Sequence, residues 1–219
     1  MGELRFVVTA GPTREYLDPV RFLSNPSTGR MGFAVARAAR AAGHEVTLIA
    51  GPVALRTPRD VRRVDVVSAR EMLHAVRQAL SGDNAPVALV MTAAVADWRP
   101  AHRAMRKLKK SQMSGTLRLV RNPDILKSLG RRLRGDVRIG FAAETDAPTA
   151  EAVRKCREKG LDMVVANDVL QPGSGFGTTT NRVAFAFPDG HIEQFPLMSK
   201  DAVARRIVRV ARQMAEREA

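Results

Sequence analysis

The stretch Val87-Ala88-Leu89-Val90-Met91-Thr92-Ala93 is almost continuously apolar. A strand with one wet face alternates apolar and polar residues, whereas a strand covered on both faces reads as an unbroken apolar run. The segment therefore predicts a central parallel strand, and parallel neighbours require crossovers, usually helical. The chain supplies them on either side. Upstream, Leu4 to Thr9 reads as a short apolar strand ended by Ala10-Gly11-Pro12. A long loop is expected up to residue 30, then a helix from Met31 to about Ala42, closed by Gly43. Alanines at 34, 36, 38, 39, 41 and 42 let that helix lie close to a sheet. Glu45 to Ala50 and Val61 to Val67 read as the next strands. Ser68 caps a helix through Met72, Leu73, Val76 and Leu80, with Glu71 placed as in a capping box.

Downstream, Arg99 to Gly115 is polar and basic and reads as a mobile loop, followed by a strand over Thr116 to Val120. Asn122-Pro123-Asp124 predicts a helix start, because proline suits a first helical turn. Val137 to Ala143 reads as another buried strand, and a helix from about Thr149 to Lys159 ends at Gly160. Asp162 to Ala166 is the last strand of parallel type. Val183 to Phe187 and Ile192 to Phe195, joined by Pro188-Asp189-Gly190-His191, predict a hairpin. A terminal helix from Ser199 carries Val203, Ile207, Val210 and Met214 on one face. With no repeat and no linker, residues 1–219 are expected to form a single α/β domain. Its architecture is a Rossmann-like, doubly wound, mostly parallel sheet with a C-terminal β-hairpin and a terminal helix.

The 219 residues are 45% hydrophobic and 26% charged, which excludes collagen, low-complexity and disordered classes. No apolar run approaches the roughly 18 residues that span a bilayer. The N-terminal residues carry no apolar signal segment. A single cysteine, Cys156, makes no internal disulfide, so the reducing cytoplasm is the expected location and no membrane is involved. Lys and Arg total 36 against 22 Asp and Glu, a net charge of +14 that attracts polyanions. Nucleic acid is one candidate and a small substrate bearing several phosphates another. Solvated helix faces such as Arg131-Arg132-Leu133-Arg134 and Arg205-Arg206 account for charge without any ligand. Only 5% of residues are aromatic, which leaves few stacking platforms, and no zinc-finger or basic-zipper spacing occurs.

In open parallel sheets ligands bind beyond the carboxyl ends of the strands. After the first strand, small and polar residues crowd the start of the Ala-rich helix in Ser24-Asn25-Pro26-Ser27-Thr28-Gly29-Arg30-Met31-Gly32. Helix N-termini of this kind suit anions, although Gly29 and Gly32 also serve close packing. The glycines do not form G-x-G-x-x-G, the second strand ends without Asp or Glu, and no Walker loop is present. A nicotinamide-dependent reductase is therefore disfavoured. Asp97 follows the central strand, either as a turn cap or as a ligand acceptor. Arg106-Lys107-Leu108-Lys109-Lys110 sets four cations within five residues, either a solvated loop or one that closes over a triphosphate. Lys155 and Lys159 share one helix face. The four histidines (44, 74, 102 and 191) show no metal-ligand spacing, and Cys156 reads as a packing residue.

Seven segments carry a family resemblance, in this order: Thr9 to Arg21, Ser24 to Gly32, Ala93-Ala94-Val95-Ala96-Asp97, Lys107 to Lys110, Asn122 to Leu126, Gly140 to Thr145, and Ala166-Asn167-Asp168. Together the chain resembles bacterial, CTP-dependent phosphopantothenoylcysteine synthetase (phosphopantothenate–cysteine ligase) from about residue 4 to 210. The resemblance implies amide formation between 4′-phosphopantothenate and L-cysteine through an acyl-cytidylate, with CTP split to CMP and pyrophosphate, a step in coenzyme A biosynthesis. It implies that Asn25 contacts the acyl-nucleotide and stabilises an oxyanion, and that Lys107 binds triphosphate and helps the transition state. Nucleotide contacts carry over to Met91, Thr92, Ala93, Asp97, Pro123, Asp124, Ile125, Leu126, Phe141, Lys155 and Lys159. Arg21 and the Gly29 loop are the choice for the pantothenate phosphate. Mg²⁺ is expected on phosphate oxygens and water, with no protein ligand assigned. A homodimer is implied, with the C-terminal hairpin and neighbouring strands as contact surface. Thr28 and Arg30 stand where Ser and Lys are common in the family, and Trp98 where Tyr is. The family is often fused behind a flavin-containing decarboxylase. The chain starts almost at the first strand, so that domain and its FMN are expected to be absent, with a separate phosphopantothenoylcysteine decarboxylase, or a piece of a longer chain, both left open. The alternative of another class is a basic nucleic-acid-binding Rossmann-like protein.

Overall fold

Strand β1 (Arg5–Ala10) sits near the middle of an eight-stranded sheet and sends side chains to both faces. Phe6, Val8 and Ala10 join one core cluster, and Val7 joins another on the opposite side. The structure, a computed structural model, describes residues 4–81, 85–110, 115–129, 135–144, 148–168, 173–175 and 177–218. Beside β1 lie β4 (Val46–Ala50) and the edge strand β5 (Arg62–Asp65). On its other side come β6 (Val87–Met91), β9 (Val137–Glu144) and β10 (Met163–Asp168). All six pair in parallel, in the spatial order β5-β4-β1-β6-β9-β10. That is the doubly wound order in which the chain reverses direction between β1 and β6. Every residue of β6 is buried, as its apolar run requires. β11 (Thr180–Asn181) pairs with β14 (Met198–Ser199) outside the main sheet, while β12 (Val183–Ala186) and β13 (Ile192–Gln194) form the expected hairpin and extend the sheet antiparallel from β10.

Helices cover both faces. α1 (Arg30–Ala41) and α4 (Lys200–Glu218) pack on one face, burying Phe33, Val35, Val203 and Ile207. α2 (Ala69–Leu80) covers the other face through Met72 and Val76, and α3 (Pro148–Lys159) lies over β9 and β10 through Ala152 and Cys156. The α2 start works as expected, with one difference. Ser68 Oγ accepts from the Glu71 amide at 3.2 Å, but the Glu71 carboxylate bonds the Val67 amide at 2.9 Å instead of that of Ser68.

Three local expectations need correction. The long loop after β1 contains a hairpin, β2 (Arg14–Tyr16) paired with β3 (Phe22–Ser24). Buried Glu15 fixes its position by accepting the Ala69 amide at 2.9 Å, a second cap on α2. The basic stretch begins as β7 (Trp98–Pro100), and the strand expected over Thr116 to Val120 is the shorter β8 (Leu119–Arg121). These two form a separate ribbon outside the main sheet. The helix expected from Asn122 is a single turn over residues 125–128. The Asp124 carboxylate accepts the Lys127 amide at 3.2 Å and its carbonyl accepts the Ser128 amide at 3.0 Å, which closes that turn. Thr145, Ser111 and the arginines 131, 132 and 134 lie outside the described residues.

Candidate active site

Two neighbouring cavities open at the carboxyl ends of the parallel strands, on either side of a wall made by Ala93, Val95, Asp97 and Phe141. The first holds about 400 Å³ and lies over the start of α1. The second holds about 580 Å³ and lies between the end of β6, Trp98 and the turn at 122–127. The crevice between β1 and β6 is where a doubly wound sheet leaves room, because consecutive crossovers depart to opposite faces there. A groove of about 520 Å³ between α1 and α4, lined by Ala38, Ala41 and several arginines, is remote from these strand ends.

The first cavity is shaped by backbones in close contact. Gly29 takes φ +76°, which a residue with a Cβ adopts only under strain, and places no side chain over the first turn of α1. No side chain caps that helix and its first turn holds no acidic residue, so its leading amides face the cavity uncompensated. Two residues further in, a Cβ on Gly32 would stand 2.5 Å from Ala10 Cβ and 2.5 Å from Thr92 Oγ1. The helix start therefore rests directly on β1. The segment after β6 is stitched between two other loops. Ala94 N donates to Gly11 O at 2.9 Å, Ala96 N to Thr13 Oγ1 at 3.0 Å, and Asn122 Nδ2 to Ala96 O at 2.8 Å. Asn25 joins this network by donating one amide hydrogen to Ala94 O at 3.2 Å, and its second N–H remains for another acceptor.

Asn25, Gly29, Thr92, Ala93, Asp97, Phe141 and Lys155 come together around the first cavity. Met91, Ala93, Asp97, Pro123, Asp124, Ile125, Leu126, Phe141 and Lys159 surround the second. Lys159 Nζ lies 2.9 Å from Asp124 Oδ2. Burial raises the Asp124 pKa, but the Lys159 hydrogen bond and charge and the Lys127 amide outweigh it, leaving the carboxyl below its usual range. Burial pushes the Cys156 thiol up to about 11, and its Sγ donates to Ala186 O at 3.3 Å inside the α3 core.

Arg21 and Lys107 line neither cavity, and Arg21 is tied to the residue after Lys107. Asp18 is fully buried, and its carboxylate accepts the Val20 and Arg21 amides, Arg21 Nε at 3.0 Å, and the Leu108 amide at 3.2 Å. The Arg21 guanidinium also donates to Leu108 O at 3.0 Å. Leu108 is thus gripped through both its N–H and its carbonyl, and the exposed Lys107 is its neighbour. Arg21 beside Asp18 holds that carboxyl well below the usual carboxylate range.

Sequence reasoning assigned no role to Lys200, Asn181, Gly175 or Arg30, which line the first cavity. Asn167 appeared only within a strand-end motif. Its buried side chain and that of Asn181 both meet Ser174 Oγ, at 2.6 and 2.7 Å, and this trio shapes the loop that faces α1. Among the described residues no group of three or more His, Cys, Asp or Glu side chains gathers. None of the described helices is long and apolar enough to cross a membrane.

Comparison with known proteins shows the family to which the chain belongs. Over residues 1–214 the chain matches the family described as DNA/pantothenate metabolism flavoprotein C-terminal domain. It is 45% identical over 216 residues to the coenzyme A biosynthesis bifunctional protein CoaBC of Bacillus subtilis (strain 168), a match covering 96% of this chain and 52% of that protein. It is 43% identical over 206 residues to the protein of the same name from Escherichia coli (strain K12), covering 92% and 50%. The chain thus spans about half the length of the curated relatives it matches. Among solved structures it is similar to the C-terminal domain of a coenzyme A biosynthesis bifunctional protein CoaBC, with a TM-score of 0.80, 40% identity, and 99% and 97% of the two chains covered. A mutant of Cab2 in complex with phosphopantothenate-cysteine shares the fold at a TM-score of 0.76 and 14% identity, covering 98% and 88%. By sequence and by fold, the chain belongs to the family of DNA/pantothenate metabolism flavoprotein C-terminal domains.

Proposed function

We propose that the chain is a phosphopantothenate–cysteine ligase acting in coenzyme A biosynthesis. The observation that carries this reading is the pair of cavities at the carboxyl ends of the parallel strands, where segments distant in sequence meet around one wall. A free carboxylate has a poor leaving group, and two linked chambers suit an enzyme that first activates an acid and then transfers it. The carboxylate of 4′-phosphopantothenate attacks the α-phosphate of CTP, pyrophosphate leaves, and an acyl-cytidylate forms. The amine of L-cysteine then attacks the acyl carbon, CMP departs, and the amide remains. The free N–H of Asn25 donates to the oxyanion that develops in the second step. Met91, Thr92, Ala93, Asp97, the 123–126 turn and Phe141 hold the nucleotide, and Lys155 and Lys159 balance its charge. Lys107 reaches the triphosphate from the loop moored at Leu108. The Arg21 side chain stays 38% exposed while bound to Asp18, which leaves it able to meet the phosphate of the acid together with the Gly29 loop.

Mg²⁺ fits as an ion carried on phosphate oxygens and water, with Asp97 a carboxylate on the wall shared by both chambers. It would supply neutralisation of phosphate charge. The chain acts as a homodimer. Exposed Val20, Phe22 and Leu23 on and beside β2–β3, Trp98, Leu117 and Leu119 at β7–β8, and Ile192 on the C-terminal hairpin support a contact through these ribbons and the hairpin. The lone buried thiol suits the cytoplasm. The product is the substrate of a decarboxylase, whether on a separate chain or the same one. The test offers 4′-phosphopantothenate, Mg²⁺ and each of the four ribonucleoside triphosphates, with and without cysteine. Pyrophosphate release that requires CTP and the acid but not cysteine, followed by amide formation when cysteine is added, is expected. No mixed anhydride and no amide with any nucleotide would overturn the reading.

A further inference from the structure

Lys200 is the first residue of α4, yet its surface is only 7% exposed. An ammonium has three donors, and the described acceptor is Gly175 O at 3.0 Å. Among the described residues no carboxylate pairs with it. The adjacent Asp201 turns instead to Arg37. The site is electrostatically adverse in two further ways. A cation at a helix N-terminus opposes the positive end of the helix dipole. Arg30, the first residue of α1, lines the same cavity, so two helix starts and two cations converge. Burial, and then the Arg30 charge, lower the Lys200 pKa. The buried Asn167–Ser174–Asn181 trio fixes the loop that presents Gly175 O to the ammonium. A packing residue gains nothing from such a place, because a methionine or leucine would fill it without the cost of burying charge. An anion arriving in the cavity removes that cost.

We propose that Lys200, with Arg30 and the leading amides of α1, forms a seat for a phosphate group of a substrate in the first cavity. The ligand's identity rests on the ligase reading, since phosphate arrives there from two sources, the β,γ end of the nucleotide or the phosphomonoester of the acid. Calorimetric titration of the wild-type chain and of Lys200→Met with CTP, CMP, inorganic pyrophosphate and 4′-phosphopantothenate separates them. Loss of one charge-assisted hydrogen bond predicts about tenfold weaker binding or more. Weakening of CTP and pyrophosphate with CMP unchanged assigns the seat to the nucleotide tail. Weakening of 4′-phosphopantothenate alone assigns it to the acid. The ligand-free variant should melt no lower than wild type, because a strained charge has been removed. A lower melting temperature with every affinity kept within about threefold marks a structural lysine and overturns the proposal. If the variant does not fold, the wild-type chain decides. With ¹³Cε-labelled lysine, the Lys200 signal, identified by its absence from the spectrum of Lys200→Arg, must move when pyrophosphate or 4′-phosphopantothenate is added, and an unmoved signal overturns the proposal. Pyrophosphate binding through Lys200 without amide synthesis would sink the ligase reading and leave the seat standing. Amide synthesis at the wild-type rate and affinities by Lys200→Met would do the reverse.

Discussion

Substituting alanine for Gly32 tests how tightly the start of α1 is bound to the floor of the site. An alanine Cβ would lie 2.5 Å from Ala10 Cβ, 2.5 Å from Thr92 Oγ1 and 2.8 Å from Thr9 O. Carbon atoms settle at about 3.5–4.0 Å, so the helix start must withdraw by about 1 Å. None of the three neighbours can yield cheaply. Ala10 has no further atoms to rotate, Thr9 O belongs to the central strand, and Thr92 Oγ1 is engaged with Thr9 O at 2.6 Å. Overpacking of this kind costs about 1–3 kcal/mol, and three stiff contacts put Gly32 at the upper end. Replacing a helical glycine by alanine returns about 1 kcal/mol of propensity, leaving a net loss of about 2 kcal/mol. For a chain of this size each kcal/mol shifts Tm by about 2–4 °C, so a fall of about 4–8 °C is expected in calorimetry. The same displacement carries Arg30 and the leading amides away from the cavity, so affinity for CTP or 4′-phosphopantothenate should fall as well. Gly43→Ala is the control. Gly43 takes φ +90° with open space around its Cβ position, so alanine there costs backbone strain of about 1–2 kcal/mol and leaves ligand affinity intact. An unchanged or higher Tm for Gly32→Ala would mean that helix propensity outweighs these contacts and that α1 is not held against β1 as described. Equal affinity losses in the two variants would refute its link to the site.

Four further outcomes follow from the same geometry. Asn25→Asp puts a carboxylate where the oxyanion forms, so acyl-cytidylate should accumulate in quenched reactions, and normal turnover would remove its role. Lys107→Gln should lower turnover far more than Tm, since the residue is exposed, whereas equal loss of both would make the lysine structural. Asp18→Asn should weaken the hold on Leu108 and reduce turnover. It should also flatten the acid limb of unfolding: a depressed carboxyl stabilises the fold above its unfolded value of about 3.9, and that contribution is lost as pH falls toward the lowered native value. Cys156, buried and with its thiol pushed up to about 11, should resist a thiol reagent at neutral pH until the chain unfolds, and rapid labelling of the native protein would contradict the packing around α3.

The parallel sheet was readable because strands buried on both faces need apolar side chains at every position, and Val87 to Met91 meets that demand within five residues. The β2–β3 ribbon was not. Arg14-Glu15-Tyr16 and Phe22-Leu23-Ser24 are three residues each and carry no alternation, and the pair is placed by Glu15 on α2 and Asp18 on Leu108, both contacts from far along the chain. Asn122-Pro123-Asp124 has the composition of a helix start, and Asp124 does cap a turn by accepting the Lys127 amide, but a start signal does not fix a length and only one turn follows. The strand-end residues of the site were legible for a geometric reason, since every loop after a parallel strand must emerge on the same rim. Lys200 was not, because sequence shows only that a helix begins there. Its burial arises from a carbonyl 25 residues earlier and from the arrival of α4 beside α1. Yet Lys200 and Arg30 each break a local rule, a cation at a helix N-terminus, and they break it facing the same cavity. Local preference fails most tellingly where something outside the chain supplies the compensation. On that argument the two misplaced cations, more than the abundant surface arginines, are the part of the +14 charge that bears on the substrate.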